Sequence, residues 1–263
     1  MKLIELQKKA TNKLYRTAMS AYLSQPKYVE CNVCKWQGKH FINDVWHTHT
    51  ICPNCCSDIR HRLLAASLSF TDDFSYKKLV QDKRVLHFAP EAQLKSTLRT
   101  YAAKYVTADF LDKRVDLQLD ISNMHQIQDG EFDLIIACDV LEHVPNDSNA
   151  FKEIYRVLSV GGYAILTVPQ KDNLAETFED STVVSLEDRE RIFGQWDHLR
   201  IYGDNFNSII EIFGFKVTVI NKSNFPKEVV NKHILFPPVL SENPLATNYR
   251  KIFFAQKVAE SKI

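Results

Sequence analysis

From residue 84 onward the chain alternates between short apolar runs and stretches of helical periodicity. Arg84 to Ala89 reads as a buried strand, and Leu94 to Ala103 as a helix with Leu94, Leu98, Tyr101 and Ala102 on one face. Tyr105 to Asp109 predicts a second strand, Val115 to Asp120 a shorter third, and Phe132 to Ala137 a fourth that is apolar after Asp133. Asp147, Ser148 and Asn149 can cap a helix through Leu158 that turns Phe151, Ile154, Tyr155 and Leu158 inward. Gly161 and Gly162 end it and lead into a strand from Tyr163 to Val168. Asp204 can cap a further helix through Phe213, stopped by Gly214, and Lys216 to Ile220 and Lys251 to Gln256 are the last strands. Strand–helix alternation of this kind predicts an α/β, Rossmann-like doubly wound sheet with helices on both faces. Such sheets take ligands outside the carboxyl ends of their strands, where the strand order reverses.

The first part of the chain reads differently. Leu3, Leu6, Ala10, Leu14 and Ala18 recur at helical spacing, which predicts an N-terminal helix within residues 1–28 that packs on its own protein. Glu5, Lys8, Lys9 and Lys13 break any apolar core a secretory signal would need, and no segment approaches the ~18 apolar residues of a membrane span. The expected location is therefore cytoplasmic, with reduced thiols. At 263 residues the chain suits one large domain and a smaller appendage; 45% hydrophobic and 25% charged residues are ordinary for a globular protein. The net charge of +1 excludes a strong global field, but residues 1–84 carry 14 Lys/Arg against 7 Asp/Glu, while residues 85–263 carry 19 against 25. Two modules with different partners, or two halves that attract one another, would both give this asymmetry.

Five of the six cysteines fall in residues 31–56. Cys31 and Cys34 form one C-x2-C pair, Cys52 and Cys55 another, with 17 residues between the pairs. That spacing suits a structural zinc ribbon over residues 29–62, in which two knuckles complete a tetrahedron of thiolates. Lys35, Arg60 and Arg62 could offset the charge, and Trp36, Phe41, Ile42, Val45, Trp46 and Ile51 could form a small apolar layer on a two- or three-stranded ribbon. Disulfides and a C-x-x-C redox pair are the alternatives. Cys56 competes with Cys55 for register, and His40, His47, His49 and His61 are possible substitute ligands. A closed shell of four thiolates leaves no position for water, so the site should be structural.

Glycine usage excludes a class of ligands. Gly38 and Gly130 are consecutive glycines, so no G-x-G-x-x-G or G-x-x-x-x-G-K follows the first strand. A pyrophosphate needs such a loop to approach backbone N–H groups, which disfavours NAD, FAD and nucleoside triphosphates. Asp109 ends the second strand 20 residues beyond Ala89, an offset suited to ribose hydroxyls. Asp120 and Ile121 end the third, where a carboxylate and an apolar neighbour can flank an adenine. Together they suit an adenosine without phosphates, although each Asp alone can be a strand-end cap.

The segments from Glu131 through Phe132, Asp133, Leu134 and Ile135 to Leu141, Glu142, His143 and Val144, then Phe151 to Pro169 with Gly161 and Gly162, resemble class I S-adenosylmethionine-dependent methyltransferases of the type 11 kind. The resemblance covers about residues 80–258. It implies a seven-stranded sheet with its last strand antiparallel, forming a methyltransferase domain over residues 63–263. It also implies that Asp109 holds the ribose, that Asp120 and Ile121 flank the adenine, and that Cys138, Asp139 and Leu141 line the cofactor and acceptor side, with Phe110 beside the nucleoside. In place of the family's acidic residue and glycine-rich loop the chain has Leu86, His87, Phe88, Ala89, Pro90 and Glu91, and it resembles a subset with this loop and an N-terminal cysteine ribbon. Ala89 allows close backbone approach, with Phe88 before it, and His87 or Glu91 would meet the cofactor's amino or carboxylate group.

Methyl transfer is an in-line displacement that requires alignment and, for a hydroxyl or amine acceptor, a base. His143, just after the fourth strand, and His198, with Asp197 beside it, are the candidate bases. Glu176, Arg200 and Tyr202 follow the fifth strand, where this fold places acceptor loops. The expected activity is methyl transfer to a small-molecule or glycan-like acceptor. The alternatives are an RNA base methyltransferase whose ribbon grips RNA, and a non-catalytic zinc-stabilised interaction protein. Against RNA, the chain has no dense basic run interleaved with aromatics.

Overall fold

The computed structural model describes residues 12–259, which divide into two compact units. Within the described residues the larger comprises 76–90, 97–220 and 251–259; the smaller comprises 12–75, 91–96 and 221–250. The boundaries differ from a simple break at 62/63, because the segment 221–250 returns to the first unit. Arg62 explains this return. It is buried, and its guanidinium donates to the carbonyls of His233 at 2.9 Å and Ile234 at 3.0 Å, as well as to Thr50 and Ser57.

The larger unit is built on a seven-stranded sheet. Its strands are β3 (Arg84–Phe88), β4 (Lys104–Asp109), β5 (Leu117–Gln118), β6 (Phe132–Cys138), β7 (Leu158–Thr167), β10 (Phe215–Ile220) and β11 (Ile252–Lys257). The sheet order is β10-β11-β7-β6-β3-β4-β5, and β11 pairs antiparallel with both β7 and β10. The order reverses between β3 and β6, which is the switch point of a doubly wound sheet. The central strands are largely apolar because both faces are buried, with His87 in β3 and Asp133 in β6 among the polar interruptions. Leu86, Phe88, Ile135, Ala137, Ala164 and Leu166 enter the main core with Phe151, Ile154 and Val157 of the helix Asp147–Val157, while Val85, Ile136 and Ile165 are buried on the other face.

The predicted elements are present with shifted ends. The third strand shrinks from the expected six residues to Leu117–Gln118, because Asp116 turns back to bond Thr107 instead of extending the pairing. The helix at 147 is capped by Asn146, whose side chain accepts from the Asn149 amide at 3.0 Å. It stops at Val157, so the two glycines lie within β7 and do not end the helix. At the amino edge of the sheet Arg84 grips Asp133 bidentately, at 3.0 and 2.7 Å, and holds its carboxyl down at about 2.

In the smaller unit β1 (Val29–Glu30) and β2 (Gln37–Gly38) pair antiparallel, and a separate isolated bridge links Ile42 and Ile51. Phe41 is buried with Cys31 and Cys52, against Val29, Val33, Trp36 and Ile234. The helix Lys13–Tyr22 has no buried residue, and its Leu14 and Ala18 face solvent, contrary to the expected packing of that stripe. Leu3, Leu6 and Ala10 lie outside the described residues. Among the described residues no helix is long and apolar enough to cross a membrane.

Gly162 marks the tightest backbone approach in the sheet. A Cβ there would lie 2.9 Å from the carbonyl oxygens of both Asp133 and Ser159. Gly162→Ala is expected to lower stability by about 1–3 kcal/mol, read as a lower urea midpoint at unchanged slope. An unchanged midpoint would count against this close packing.

Candidate functional site

Strand register decides which candidates meet. Phe88 pairs with Ala108 on one side and Ala137 on the other. The next residues, Ala89, Asp109 and Cys138, therefore stand abreast at the carboxyl edge beside the switch point. Ala89 takes φ +43°, a left-handed conformation that a Cβ disfavours, and its amide donates to the Ala108 carbonyl at 2.8 Å. Asp139 is left-handed too, at φ +54°, and is held by Thr167 through backbone and side chain, both at 2.9 Å. The chain thus makes the sharp exits that usually call for glycine with Ala and Asp.

The two acids capture their own loops. Asp109 Oδ1 accepts from the amides of Leu111 and Asp112, both at 2.8 Å, while Oδ2 has no hydrogen bond among the described residues. Asp120 Oδ1 accepts from the Ser122 amide and hydroxyl. Each carboxylate is therefore a turn cap on one oxygen, and both are half-buried. Phe110 is exposed, whereas Ile121 sits in the core at 4% exposure.

Other candidates occupy different surroundings. His87 is buried on the sheet face opposite Leu86 and Phe88, its Nδ1 2.7 Å from the Tyr105 hydroxyl. Glu91 falls in the smaller unit, where its carbonyl accepts from the amides of Leu94 and Lys95. The Leu141 side chain is fully buried in the main core.

Arg200 and Tyr202, expected to hold an acceptor, are structural. Arg200 is 1% exposed and donates to the carbonyls of Leu141 at 3.1 Å, Val144 at 2.5 Å and Pro145 at 3.2 Å, with Glu179 closing the shell at 3.0 Å. The Tyr202 hydroxyl donates to Asp147 Oδ2 at 2.7 Å, and burial followed by the Asp147 charge pushes its pKa well above the ordinary value. A residue whose donors are all committed inside the fold has none left for a ligand. Glu176 is exposed and accepts from Asn205.

The histidine candidates do come together. His143 follows β6 in a 3-10 turn, Leu141–His143, and its Nδ1 lies 3.2 Å from Asp197 Oδ2. The His143 and His198 rings cross edge-to-face with centroids 4.8 Å apart. His198 Nδ1 lies 3.2 Å from the Phe193 carbonyl, and the Leu199 amide donates to the Glu142 carbonyl at 2.9 Å. Burial, then the neighbouring His143, lowers the pKa of His198. The sequence reading passed over Glu142, whose carboxylate is buried beside both rings; its place next to His143 in the chain was the available signal.

In the smaller unit Cys31, Cys34, Cys52 and Cys55 converge, with Cys31 to Cys55 and Cys34 to Cys52 both 3.7 Å between sulfurs. A tetrahedral ion with 2.3 Å bonds to sulfur spaces its ligands by about 3.8 Å, so the donor set fits zinc. The two knuckles are alike. The Lys35 amide donates to the Cys31 carbonyl at 2.8 Å and the Cys56 amide to that of Cys52 at 3.0 Å, with Lys35 at φ +63° and Cys56 at φ +61°. Cys56 is therefore the turn residue of the second knuckle and not a ligand; its sulfur meets Arg16. Hydrogen bonding from Cys34 lowers the Cys31 thiol, while Cys31 raises Cys52 and Cys55, so four thiolates need a cation to coexist. His40 and His49 meet ring to ring at a tilt, His47 bonds Asn248, and His61 caps its helix with Asp58, so none joins the cysteines.

Residues 83–166 match the family described as "Methyltransferase domain". Phosphoethanolamine N-methyltransferase 2 of Caenorhabditis elegans is 30% identical over 57 residues, which is 22% of this chain and only 13% of that protein. Among solved structures, an S-adenosylmethionine-dependent methyltransferase from Mesorhizobium loti aligns at 14% identity and TM-score 0.47, over 67% of this chain and 92% of that one. The 1,6-didemethyltoxoflavin-N1-methyltransferase of Burkholderia thailandensis aligns at 12% identity and TM-score 0.48, over 74% and 79%.

Removing the Cβ at the left-handed turn tests the edge geometry. Ala89→Gly trades about 1–2 kcal/mol of left-handed cost against roughly 0.5–1 kcal/mol of glycine entropy. Stability is expected to hold or rise by up to about 1 kcal/mol in thermal and urea unfolding. A clear loss would mean that residue 89 is not left-handed.

Proposed function

We propose that the chain transfers the methyl group of S-adenosylmethionine to a small-molecule acceptor. The observation that carries this is the side-by-side placement of Ala89, Asp109 and Cys138 at the switch point of a sheet whose first five strands match the methyltransferase-domain family. The bound cofactor supplies a methyl group already activated on a sulfonium. Asp109, whose Oδ2 has no hydrogen bond among the described residues, takes the ribose hydroxyls. Asp120 meets the adenine, with Phe110 at its outer side, and Ile121 backs that edge from within the core. The Ala89 backbone meets the methionine part, and Cys138 and Asp139 face the line of transfer.

The acceptor approaches past β6 and is activated at Glu142, His143 and His198, with Asp197 orienting His143. Because methyl transfer is a displacement at carbon, alignment of acceptor and methyl group is the protein's main contribution. The short match to a phosphoethanolamine N-methyltransferase supports a small acceptor. A sugar hydroxyl suits the same edge, where Glu176 is exposed and Phe178 and Trp196 present open rings.

Calorimetry with S-adenosylmethionine is expected to show saturable binding that Asp109→Ala weakens by at least ~1 kcal/mol through lost ribose hydrogen bonds. Affinity unchanged in both Asp109→Ala and Asp120→Ala would remove the assignment.

We propose further that the four cysteines hold one structural zinc ion. The sulfur spacing supports this, as does Arg62, a buried cation whose nearness to Cys31 and Cys52 offsets thiolate charge. Purified protein should contain about one equivalent of zinc bound by cysteine. Cys31→Ala and Cys52→Ala should lose that metal and unfold the smaller unit; native folding of metal-free variants would refute it.

A further inference from the structure

A second group of metal-ligating side chains lies in the larger unit, independent of the cysteines. Glu142, His143 and His198 each place a ligand atom within 4.8 Å of the other two. Glu142 is 1% exposed and His198 7%, so two of the three donors are held inside the fold. His143 Nε2 lies 4.0 Å from Glu142 Oε1.

The two imidazoles are oriented alike. His143 Nδ1 faces a carboxylate oxygen of Asp197, and His198 Nδ1 faces the Phe193 carbonyl, each at 3.2 Å. Both partners only accept hydrogen bonds, so each Nδ1 carries its proton and each Nε2 keeps a lone pair. An acceptor behind Nδ1 is the support that fixes a metal-bound histidine in its ligating tautomer. Asp139 and Asp197 act electrostatically on His198, which adds negative charge around the cluster. A metal–ligand bond of about 2.1 Å separates ligands by roughly 3–3.5 Å, so modest side-chain rotation closes the set.

We propose that Glu142, His143 and His198 bind one divalent transition-metal ion in an open, three-ligand site. Two imidazoles and one carboxylate suit zinc, iron(II), cobalt or manganese, whereas calcium and magnesium prefer oxygen ligands throughout. Three protein ligands leave coordination positions for an incoming group, as in catalytic and unlike structural sites. Glu142 and His143 lie four and five residues past the end of β6, in the connector that begins with Asp139, and His198 joins them from a later connector.

The consequence for chemistry rests on the methyltransferase reading above. A hydroxyl acceptor coordinated here becomes more acidic and loses its proton to solvent. Its oxygen then bonds the methyl carbon, and the electron pair of the breaking carbon–sulfur bond goes to sulfur, leaving the neutral thioether. The acceptor class is therefore a small molecule with a coordinating oxygen, such as a phenol, a catechol-like diol or a sugar hydroxyl. Asp197 is a positioning residue that acts through His143.

The test titrates Mn²⁺, and separately Co²⁺, into the full-length chain with its cysteine-bound metal in place and quantified. Free Mn²⁺ is read by electron paramagnetic resonance, and Co²⁺ by the weak visible bands of nitrogen and oxygen ligation, without thiolate charge transfer. One equivalent per chain is expected. His198→Ala and Glu142→Gln should weaken it at least tenfold, and Asp197→Asn about tenfold. His143 is part-exposed, so His143→Ala guards against a folding artefact; retained circular dichroism and cysteine-bound metal mark a folded variant. No saturable binding of either ion, or equal binding by wild type and folded His143→Ala, overturns the site. S-adenosylmethionine affinity measured on the same sample keeps the readings apart. Metal binding without it sinks the methyltransferase reading alone, whereas cofactor binding without metal binding sinks the site alone.

Discussion

One buried guanidinium organises the connector that follows β6. Arg200 leaves β9 (Arg200–Ile201) and reaches the carbonyls of Leu141, Val144 and Pro145, which bracket Glu142 and His143. The connector after β6 has no regular ladder to satisfy those carbonyls, so an outside donor must do it. Arg200 provides five N–H groups in a fixed plane, and its charge strengthens every bond it makes. The backbone bond from Leu199 to Glu142 adds a second tie one residue away. His198, two residues before Arg200, is thereby held beside His143, and removing such a buried partner typically costs about 3–5 kcal/mol. The side chain that looked like an acceptor ligand instead makes the ligand-bearing loop a fixed structure.

The opposite half of the edge relies on backbone conformation. Ala89 and Asp139, at the ends of β3 and β6, adopt left-handed φ values that cost other residues about 1–2 kcal/mol. Strain of this kind persists where neighbours over-determine it. Ala89 is fixed by the bond from its amide to Ala108, and Asp139 by Thr167 on both backbone and side chain. The two turns flank the switch in strand order, the position at which doubly wound sheets take ligands. A methyl group on Ala89 is compatible with a nucleoside lacking phosphates, whereas a pyrophosphate needs closer approach to the backbone.

Much of the sheet was legible because buried parallel strands leave a signal that does not depend on neighbours. Phe132 to Cys138 and Tyr163 to Thr167 are apolar at every position that two covered faces require. The cysteine ribbon was legible for a similar reason: C-x2-C spacing is a local geometric constraint, and the left-handed Lys35 and Cys56 confirm its turn. Arg200 and Tyr202 were misread because burial of a polar side chain depends on partners far away in sequence, here 55 to 59 residues distant for the Leu141 carbonyl, Asp147 and their neighbours. Glu142 was missed for the same reason, since only the fold brings it against His198. The return of 221–250 to the first unit was invisible too, because its cause is a set of main-chain carbonyls that any sequence could present to Arg62.

The two clusters differ in how the fold supplies their ligands, and that difference assigns them separate jobs. The cysteines come from two matching knuckles close in sequence, each closed by its own backbone bond, so a zinc ion proposed there would brace the ribbon. Glu142, His143 and His198 come from two connectors already tied together by Arg200, so their fold does not depend on an ion. A site whose scaffold stands without metal can tolerate open positions and exchange of the outer ligand. A site that creates its scaffold must fill every position to remain folded. On the proposed readings, four cysteines near the buried Arg62 would suit a permanent brace, while two imidazoles and a carboxylate after β6 would suit a group that meets and releases an acceptor.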